Sequence, residues 1–168
     1  MARQPQELLY LLTRAERLAV RRVQSVLDEF DCSVEAWRVL DLLSDGQGHN
    51  MTALADHAFL PAPSLTKLVD QLVDQNWVYR RVDPADRRRV LAHLTPRGMQ
   101  RWQLLVREVR ADWGDLEQSL PAEELDELLA RLADALEGPG TSNRGARGAT
   151  VPGGVTPGRA ERGVGRAR

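Results

Sequence analysis

The sequence predicts a mainly α-helical fold of the α+β class, in which one two-stranded hairpin interrupts a series of helices. Apolar residues recur every three or four positions through most of residues 6–137, which is the period of a helix buried on one face. Between residues 78 and 94 apolar and polar residues alternate instead, which is typical of strands. A Gly- and Arg-rich segment follows residue 137 and lacks the bulky residues of a core.

The first three helices are predicted from their apolar stripes and their capping residues. A long helix is expected over about residues 6–30, where ten apolar positions share one face. Ser33 has a side chain that favours helix N-termini, and a second helix is expected from it to about residue 45. Asn50 is an equally suitable cap for a short third helix over residues 51–58.

A fourth helix and a hairpin follow. The helix is expected from about Ala62 to Gln75, and Pro63 is tolerated because it lies in the first turn. The two strands, residues 78–82 and 90–94, are joined by a turn that begins with Asp-Pro, a favourable pair for the first two turn positions. Thr95, followed by proline, then predicts the start of a fifth helix, and a sixth follows Pro121. The apolar stripe expected on the fourth helix comprises Leu65, Leu68, Val69, Leu72 and Val73.

Charge is distributed unevenly along the chain. The formal net charge is −1, yet residues 138–168 contain six arginines and one acid, Glu161. This tail is expected to be disordered, because it has too little apolar surface to offset the entropy of ordering. The remaining residues, 1–137, are acidic, so any nucleic-acid site must be a local basic patch.

The single cysteine excludes an intrachain disulfide, which fits a reducing cytoplasm. The first residues lack the apolar core of a signal peptide, and no apolar stretch is long enough to span a membrane.

The third and fourth helices and the hairpin together predict a winged helix-turn-helix. In this arrangement the second helix of the pair enters the DNA major groove, and the hairpin forms a wing beside it. With the apolar stripe turned inward, the fourth helix presents Ser64, Thr66, Lys67 and Gln71, which suit base edges or phosphates. The alternative interpretation is that these side chains form an ordinary solvated helix face.

The wing is predicted to be strongly basic. It contains five arginines, three of them consecutive, and such a loop can follow the phosphate backbone or insert an arginine into the minor groove. The alternative is that these cations pair with nearby acids, such as Asp83 and Asp86. The five arginines are Arg80, Arg81, Arg87, Arg88 and Arg89.

Residues 33–98 resemble the multiple-antibiotic-resistance-regulator (MarR) family of winged-helix regulators. Shorter matching segments are residues 34–40 in the second helix and 52–55 in the third. The remaining matches are Leu65-Thr66-Lys67-Leu68-Val69-Asp70-Gln71-Leu72, the wing signature Asp83-Pro84-Ala85-Asp86-Arg87-Arg88-Arg89-Val90, and Leu94-Thr95-Pro96-Arg97-Gly98. Arg88 matches the wing arginine of the family, whereas Lys67 stands where arginine is commoner. Asn76 replaces a usual glycine but tolerates the same left-handed turn.

The resemblance implies a cytoplasmic homodimer that binds double-stranded DNA at a palindromic operator, as a repressor relieved by a small aromatic or acidic ligand. It implies a DNA-binding lobe at about residues 33–95 and dimerisation helices at about 6–30 and 96–137. Leucine and tryptophan in those helices favour dimerisation independently, because three short helices and a wing cannot cover them all. The alternative is that they pack within one subunit. Trp37, Trp102 and Trp113 could form an aromatic wall for a planar ligand, or be core residues.

Other functions are less consistent with the sequence. No phosphate-binding loop, nucleophile elbow or metal-ligand spacing is present, so neither enzymatic activity nor a cofactor or metal is expected. Cys32 is expected to be a structural or surface thiol, because neighbouring acids raise its pKa. Two alternatives remain: a sequence-independent architectural DNA-binding protein assisted by the basic tail, and a protein-interaction module that has lost DNA binding.

Overall fold

The computed structural model describes residues 4–119 and 121–137. Within them, the chain forms six α-helices and one antiparallel two-stranded sheet, which confirms the predicted fold class. The tail predicted to be disordered, residues 138–168, lies outside the described residues. The elements in chain order are α1 (Pro5–Leu27), a 3₁₀ turn (Asp28–Phe30), α2 (Val34–Leu43), α3 (Met51–Ala58), α4 (Ala62–Asp74), β1 (Val78–Val82), β2 (Val90–Leu94), α5 (Pro96–Ser119) and α6 (Ala122–Glu137).

The predicted caps form the hydrogen bonds expected of them. The side-chain oxygens of Ser33, Asn50 and Thr95 each accept a bond from the backbone N–H three residues later, at 3.1, 2.9 and 2.9 Å. These bonds satisfy N–H groups that have no partner inside the helix. Two helices end slightly earlier than predicted: α1 gives way to the 3₁₀ turn, after which Asp31 adopts a left-handed conformation, and α2 ends at Leu43.

The core lies where α1 to α5 and the sheet converge. Large side chains from several elements are 0–2% exposed, which is the burial expected from their helical spacing. Each fully buried leucine contributes about 2 kcal/mol by its removal from water. The fully buried leucines are Leu27, Leu40, Leu43, Leu54, Leu65, Leu72 and Leu105.

An ion-pair cluster joins α1 to α5. The Arg22 guanidinium lies 2.6 Å from the Asp112 carboxylate and 2.7 Å from that of Asp115. The hydrogen bonds of these two carboxylates raise the pKa of Arg22, and its guanidinium lowers the pKa of Asp115. Because these groups are solvent-accessible, water screens the pairs and they set the packing of the helices more than the overall stability.

The beginning of α1 and most of α6 lie outside this core. Leu9 and Leu18 of α1 are 65% and 52% exposed, and Leu128 and Leu136 of α6 are 59% and 71% exposed. Leu132 is the one residue of α6 with described burial that is not exposed. A single protomer therefore leaves the apolar stripes of these two helices largely uncovered.

Candidate nucleic-acid interface

Helix α4 has one buried face and one open face. Leu65, Val69 and Leu72 are 0–2% exposed and anchor the helix to the core. The residues predicted to contact DNA are all exposed on the other face, which confirms the predicted orientation of the helix. They are Ser64, Thr66, Lys67 and Gln71.

The first turn of α4 is open to solvent. Pro61 occupies the N-cap position, and no side chain caps the helix. The partial positive charge at a helix N-terminus attracts anions such as phosphates. The Thr66 hydroxyl donates to the carbonyl oxygen of Ala62 at 2.9 Å, so its oxygen remains available to accept. Pro61 and Pro63, near the start of the helix, therefore do not bury the polar face of α4.

The connection between α4 and the wing is fixed by a left-handed residue and a buried threonine. Asn76 has φ 58°, the conformation expected from its place after the helix. The Thr95 hydroxyl donates to the carbonyl oxygen of Asn76 at 2.7 Å, and the Thr95 N–H donates to that of Trp77 at 3.0 Å. At Gly98 an added Cβ would lie 1.9 Å from the Trp77 carbonyl oxygen, so only glycine fits. These contacts hold β1, β2 and α5 in one orientation relative to α4.

The base of the wing is also held from the α2–α3 connection. His49 exchanges two backbone hydrogen bonds with Ala92, at 3.0 and 2.8 Å, and so forms a single β-bridge to β2. The ring of His93 stacks on Tyr79 with centroids 5.3 Å apart, and it lies so close to Gly48 that a Cβ there would overlap it. The wing therefore projects from a rigid base.

The tip of the wing presents three exposed arginines, Arg87–Arg89. The Asp83 and Asp86 carboxylates instead accept backbone N–H groups of the loop, at 2.8 and 3.1 Å. Among residues 4–119 and 121–137, no carboxylate lies within ion-pair distance of these exposed guanidinium groups. The two acids therefore shape the loop and leave the arginine side chains free, which argues against the alternative of local pairing.

One wing arginine has a different role that the sequence pattern did not indicate. The Arg80 guanidinium lies 2.7 Å from the Asp70 carboxylate on α4. The pair links the wing to α4, and it partly neutralises the positive charge that Arg80 was expected to add. Asp70 lies on α4 and Arg80 on β1, so no single helical or strand period relates the two residues. Only the folded arrangement brings them together.

Cys32 is a buried thiol rather than a reactive site. Its side chain is 4% exposed, and burial raises its pKa to about 11. Of the two smaller influences on this pKa, the nearby Arg101 lowers it and Glu35 raises it, as the sequence suggested. The larger cause, burial, was not foreseen from the neighbouring acids. In the described part of the chain, no cluster of His, Cys, Asp or Glu side chains is arranged to hold a metal ion.

The three tryptophans proposed for a ligand wall are partly buried and differ in bonding. The indole N–H of Trp102 donates to the Asp41 carboxylate at 3.0 Å. The indole N–H groups of Trp37 and Trp113 are buried and have no hydrogen-bond partner among the residues that the structure describes. A buried donor without an acceptor is unfavourable by about 1–3 kcal/mol, so these two atoms are open to an acceptor.

The fold and these exposed groups define a winged helix-turn-helix DNA-binding protein, and comparison with known proteins agrees. The MarR family model matches residues 30–89. The transcriptional regulator FarR of Neisseria gonorrhoeae is 28% identical over 125 residues, which are 73% of this chain and 86% of FarR. None of the helices in residues 4–119 and 121–137 combines the length and apolar character needed to cross a bilayer.

Solved structures give the same assignment. The MarR family transcriptional regulator SPO1453 of Silicibacter pomeroyi is 30% identical, with a TM-score of 0.69 over 77% of this chain and 94% of that one. The structure of NadR in complex with 4-hydroxyphenylacetate is 25% identical, with a TM-score of 0.69 over 80% and 97% of the two chains. This chain therefore belongs to the MarR family and is a DNA-binding transcriptional regulator.

Proposed function

We propose that the protein is a sequence-specific repressor that binds a palindromic operator as a homodimer and is released by a small aromatic or acidic ligand. The observation that carries the proposal is the pairing of an open polar face on α4 with an arginine-tipped wing on the same rigid base. Ser64, Thr66, Lys67 and Gln71 contact base edges and nearby phosphates in the major groove. Arg87–Arg89 bind the flanking backbone or minor groove.

Uncovered leucines support the homodimer. Helices α1 and α6 expose leucine side chains such as Leu9 and Leu136, at 65% and 71%, on stripes whose helical spacing is that of a buried face. Association of two copies removes this surface from water at about 25 cal/mol per Å². Two-fold symmetry then places two α4 helices and two wings for a palindrome. In this proposal residues 6–30 and 96–137 form the dimerisation region and residues 33–95 the DNA-binding lobe.

Charge complementarity indicates which helices meet. Arg14, Arg17 and Arg21 are exposed on α1, lie along an open groove of about 310 Å³, and have no carboxylate within ion-pair distance in the described residues. Helix α6 begins with an acidic first turn and continues with further acids. We therefore expect α6 of one protomer to lie along α1 of its partner.

Charge reversal tests this pairing without assuming a register. One variant changes the three α1 arginines to Glu, and the other changes Glu123, Glu124 and Glu127 of α6 to Arg. Each variant alone faces like charges and should dissociate, whereas an equimolar mixture should form a heterodimer in sedimentation equilibrium. If both variants remain dimeric alone, the proposed α1–α6 pairing is wrong.

The ligand proposal rests on the tryptophans. Trp37 and Trp113 each offer an aromatic ring whose buried indole N–H has no partner among the described residues, and such groups suit a planar molecule with a carboxylate or hydroxyl acceptor. The related NadR binds 4-hydroxyphenylacetate, so this compound is the first probe. Titration should quench tryptophan fluorescence and weaken operator binding, and Trp37→Phe or Trp113→Phe should reduce the response. Unchanged fluorescence and operator affinity at saturating probe would remove this compound from consideration.

Selection of bound sites from a random duplex pool tests the function as a whole. A sequence-specific dimer should enrich inverted repeats whose half-site centres lie about one helical turn, roughly 10 bp, apart. Binding with no enriched sequence would favour the architectural alternative, in which affinity falls steeply with salt but hardly depends on sequence. No binding would favour the protein-interaction module.

A further inference from the structure

Phe59, in the turn between α3 and α4, combines two unfavourable features. Its side chain is 79% exposed, and its backbone adopts a left-handed conformation with φ 55° and ψ 42°. That conformation is unfavourable for a bulky residue and is normally taken by glycine or asparagine. The turn itself is closed by backbone bonds, including Leu60 N–H to Ala55 carbonyl at 3.0 Å. The phenyl ring is therefore not needed to form the turn.

The ring of Phe59 contacts a cation. The guanidinium carbon of Arg38, on α2, lies 5.1 Å from the ring centroid of Phe59. No carboxylate of residues 4–119 and 121–137 lies within ion-pair distance of Arg38. Contact with the ring face restrains the guanidinium while its charge stays unneutralised. The surface thus offers a positioned cation next to an exposed apolar edge.

The location of this pair suggests the occupant. Phe59 precedes Ala62, the first residue of α4, by three positions, so it flanks the open N-terminal turn of the helix proposed to enter the major groove. A DNA backbone alternates an anionic phosphate with an apolar sugar, which complements a cation beside a phenyl edge. The unneutralised charge of Arg38 favours this polyanion over an apolar protein partner.

We propose that Arg38 and Phe59 form a DNA contact outside α4 and the wing, in which the guanidinium binds a backbone phosphate and the phenyl edge packs against the adjacent deoxyribose. The inference rests on the proposed operator binding and adds a backbone contact at the border of each half-site. In this proposal the exposed, left-handed Phe59 places its ring for binding and not for folding.

Opposite effects on stability and binding test the contact. Phe59→Gly relieves the backbone strain and should raise Tm by about 2–4 °C, yet weaken operator binding by about tenfold in fluorescence anisotropy. Phe59→Tyr keeps the ring and should bind like wild type. Arg38→Ala removes one phosphate contact per protomer and should reduce the slope of log K against log salt by about 1.8. In the double variant the losses should be less than additive, because the ring positions the guanidinium.

Three results would overturn the inference. Wild-type affinity in Phe59→Gly would show that the ring does not contact DNA. A lower Tm would show that the ring is structural. A changed oligomeric state of the DNA-free variant in sedimentation would assign the surface to a protein partner. Failure of the wild-type protein to bind any selected duplex would instead refute the proposed function itself.

Discussion

Replacement of Arg88 by alanine tests whether the wing contacts the DNA backbone. The side chain is exposed, and the two nearest acids in sequence bond to the loop backbone instead, so a bound phosphate would be its main ionic partner. Each phosphate neutralised by a protein cation adds about −0.9 to the slope of log K against log salt. A dimer loses two such contacts in Arg88→Ala, so the slope should become shallower by about 1.8. Between 50 and 200 mM salt, the affinity of the variant should then fall about tenfold less than that of wild type.

Fluorescence anisotropy with one labelled operator duplex, repeated at several salt concentrations, measures this slope. The matched control removes a wing arginine that already has a partner, by combining Arg80→Gln with Asp70→Asn. Because that pair is internally neutralised at 2.7 Å, its loss should leave the slope nearly unchanged. Equal slopes in Arg88→Ala and wild type would refute the proposed role of the wing. An equally large change in the control would show that the slope reports total charge and not specific contacts.

Two further predictions concern stability. Gly98→Ala places a Cβ 1.9 Å from the Trp77 carbonyl oxygen and should destabilise the fold by several kcal/mol in urea denaturation. Gly114→Ala, with nothing within 4 Å, should stabilise α5 by up to about 1 kcal/mol, and similar losses in both variants would contradict the clash. Burial raises the pKa of Cys32 from 9.0 to about 11, so the thiol ionises more readily in the unfolded chain. Stability should therefore decline as pH rises from 9 to 11, by up to about 2–3 kcal/mol. Cys32→Ala should decline less over this range, and parallel pH profiles would contradict the assigned shift.

The order of the elements and the starts of the capped helices were predictable because they depend on local chemistry, whereas α1 and α2 end earlier than the pattern predicts. The caps at Ser33, Asn50 and Thr95 act on backbone groups three residues away, and periodicity selects the buried face of each helix. The outward orientation of the α4 residues followed from the burial of Leu65, Val69 and Leu72. The wing signature predicted a basic hairpin, which the structure confirms.

The partners of individual charges were less predictable. Five arginines near the hairpin look alike in sequence, yet one pairs with Asp70 on α4 and three at the tip have no acidic partner among the described residues. The choice depends on which side chains of α4 face the strand, and that follows from the angle between helix and sheet. For the same reason, the contact between Arg38 on α2 and Phe59 in the turn after α3 has no counterpart in the sequence pattern.

The helical order, the caps, the hairpin and the basic tip of the wing can be inferred from the amino-acid order alone, since each depends on residues within about one turn or one strand. Which cations are neutralised, how deeply Cys32 is buried and which apolar faces stay uncovered become known only from the folded arrangement. These properties depend on contacts between residues 10 to 90 positions apart, such as Arg80 with Asp70 and Arg22 with Asp112, and packing of the whole chain sets those distances.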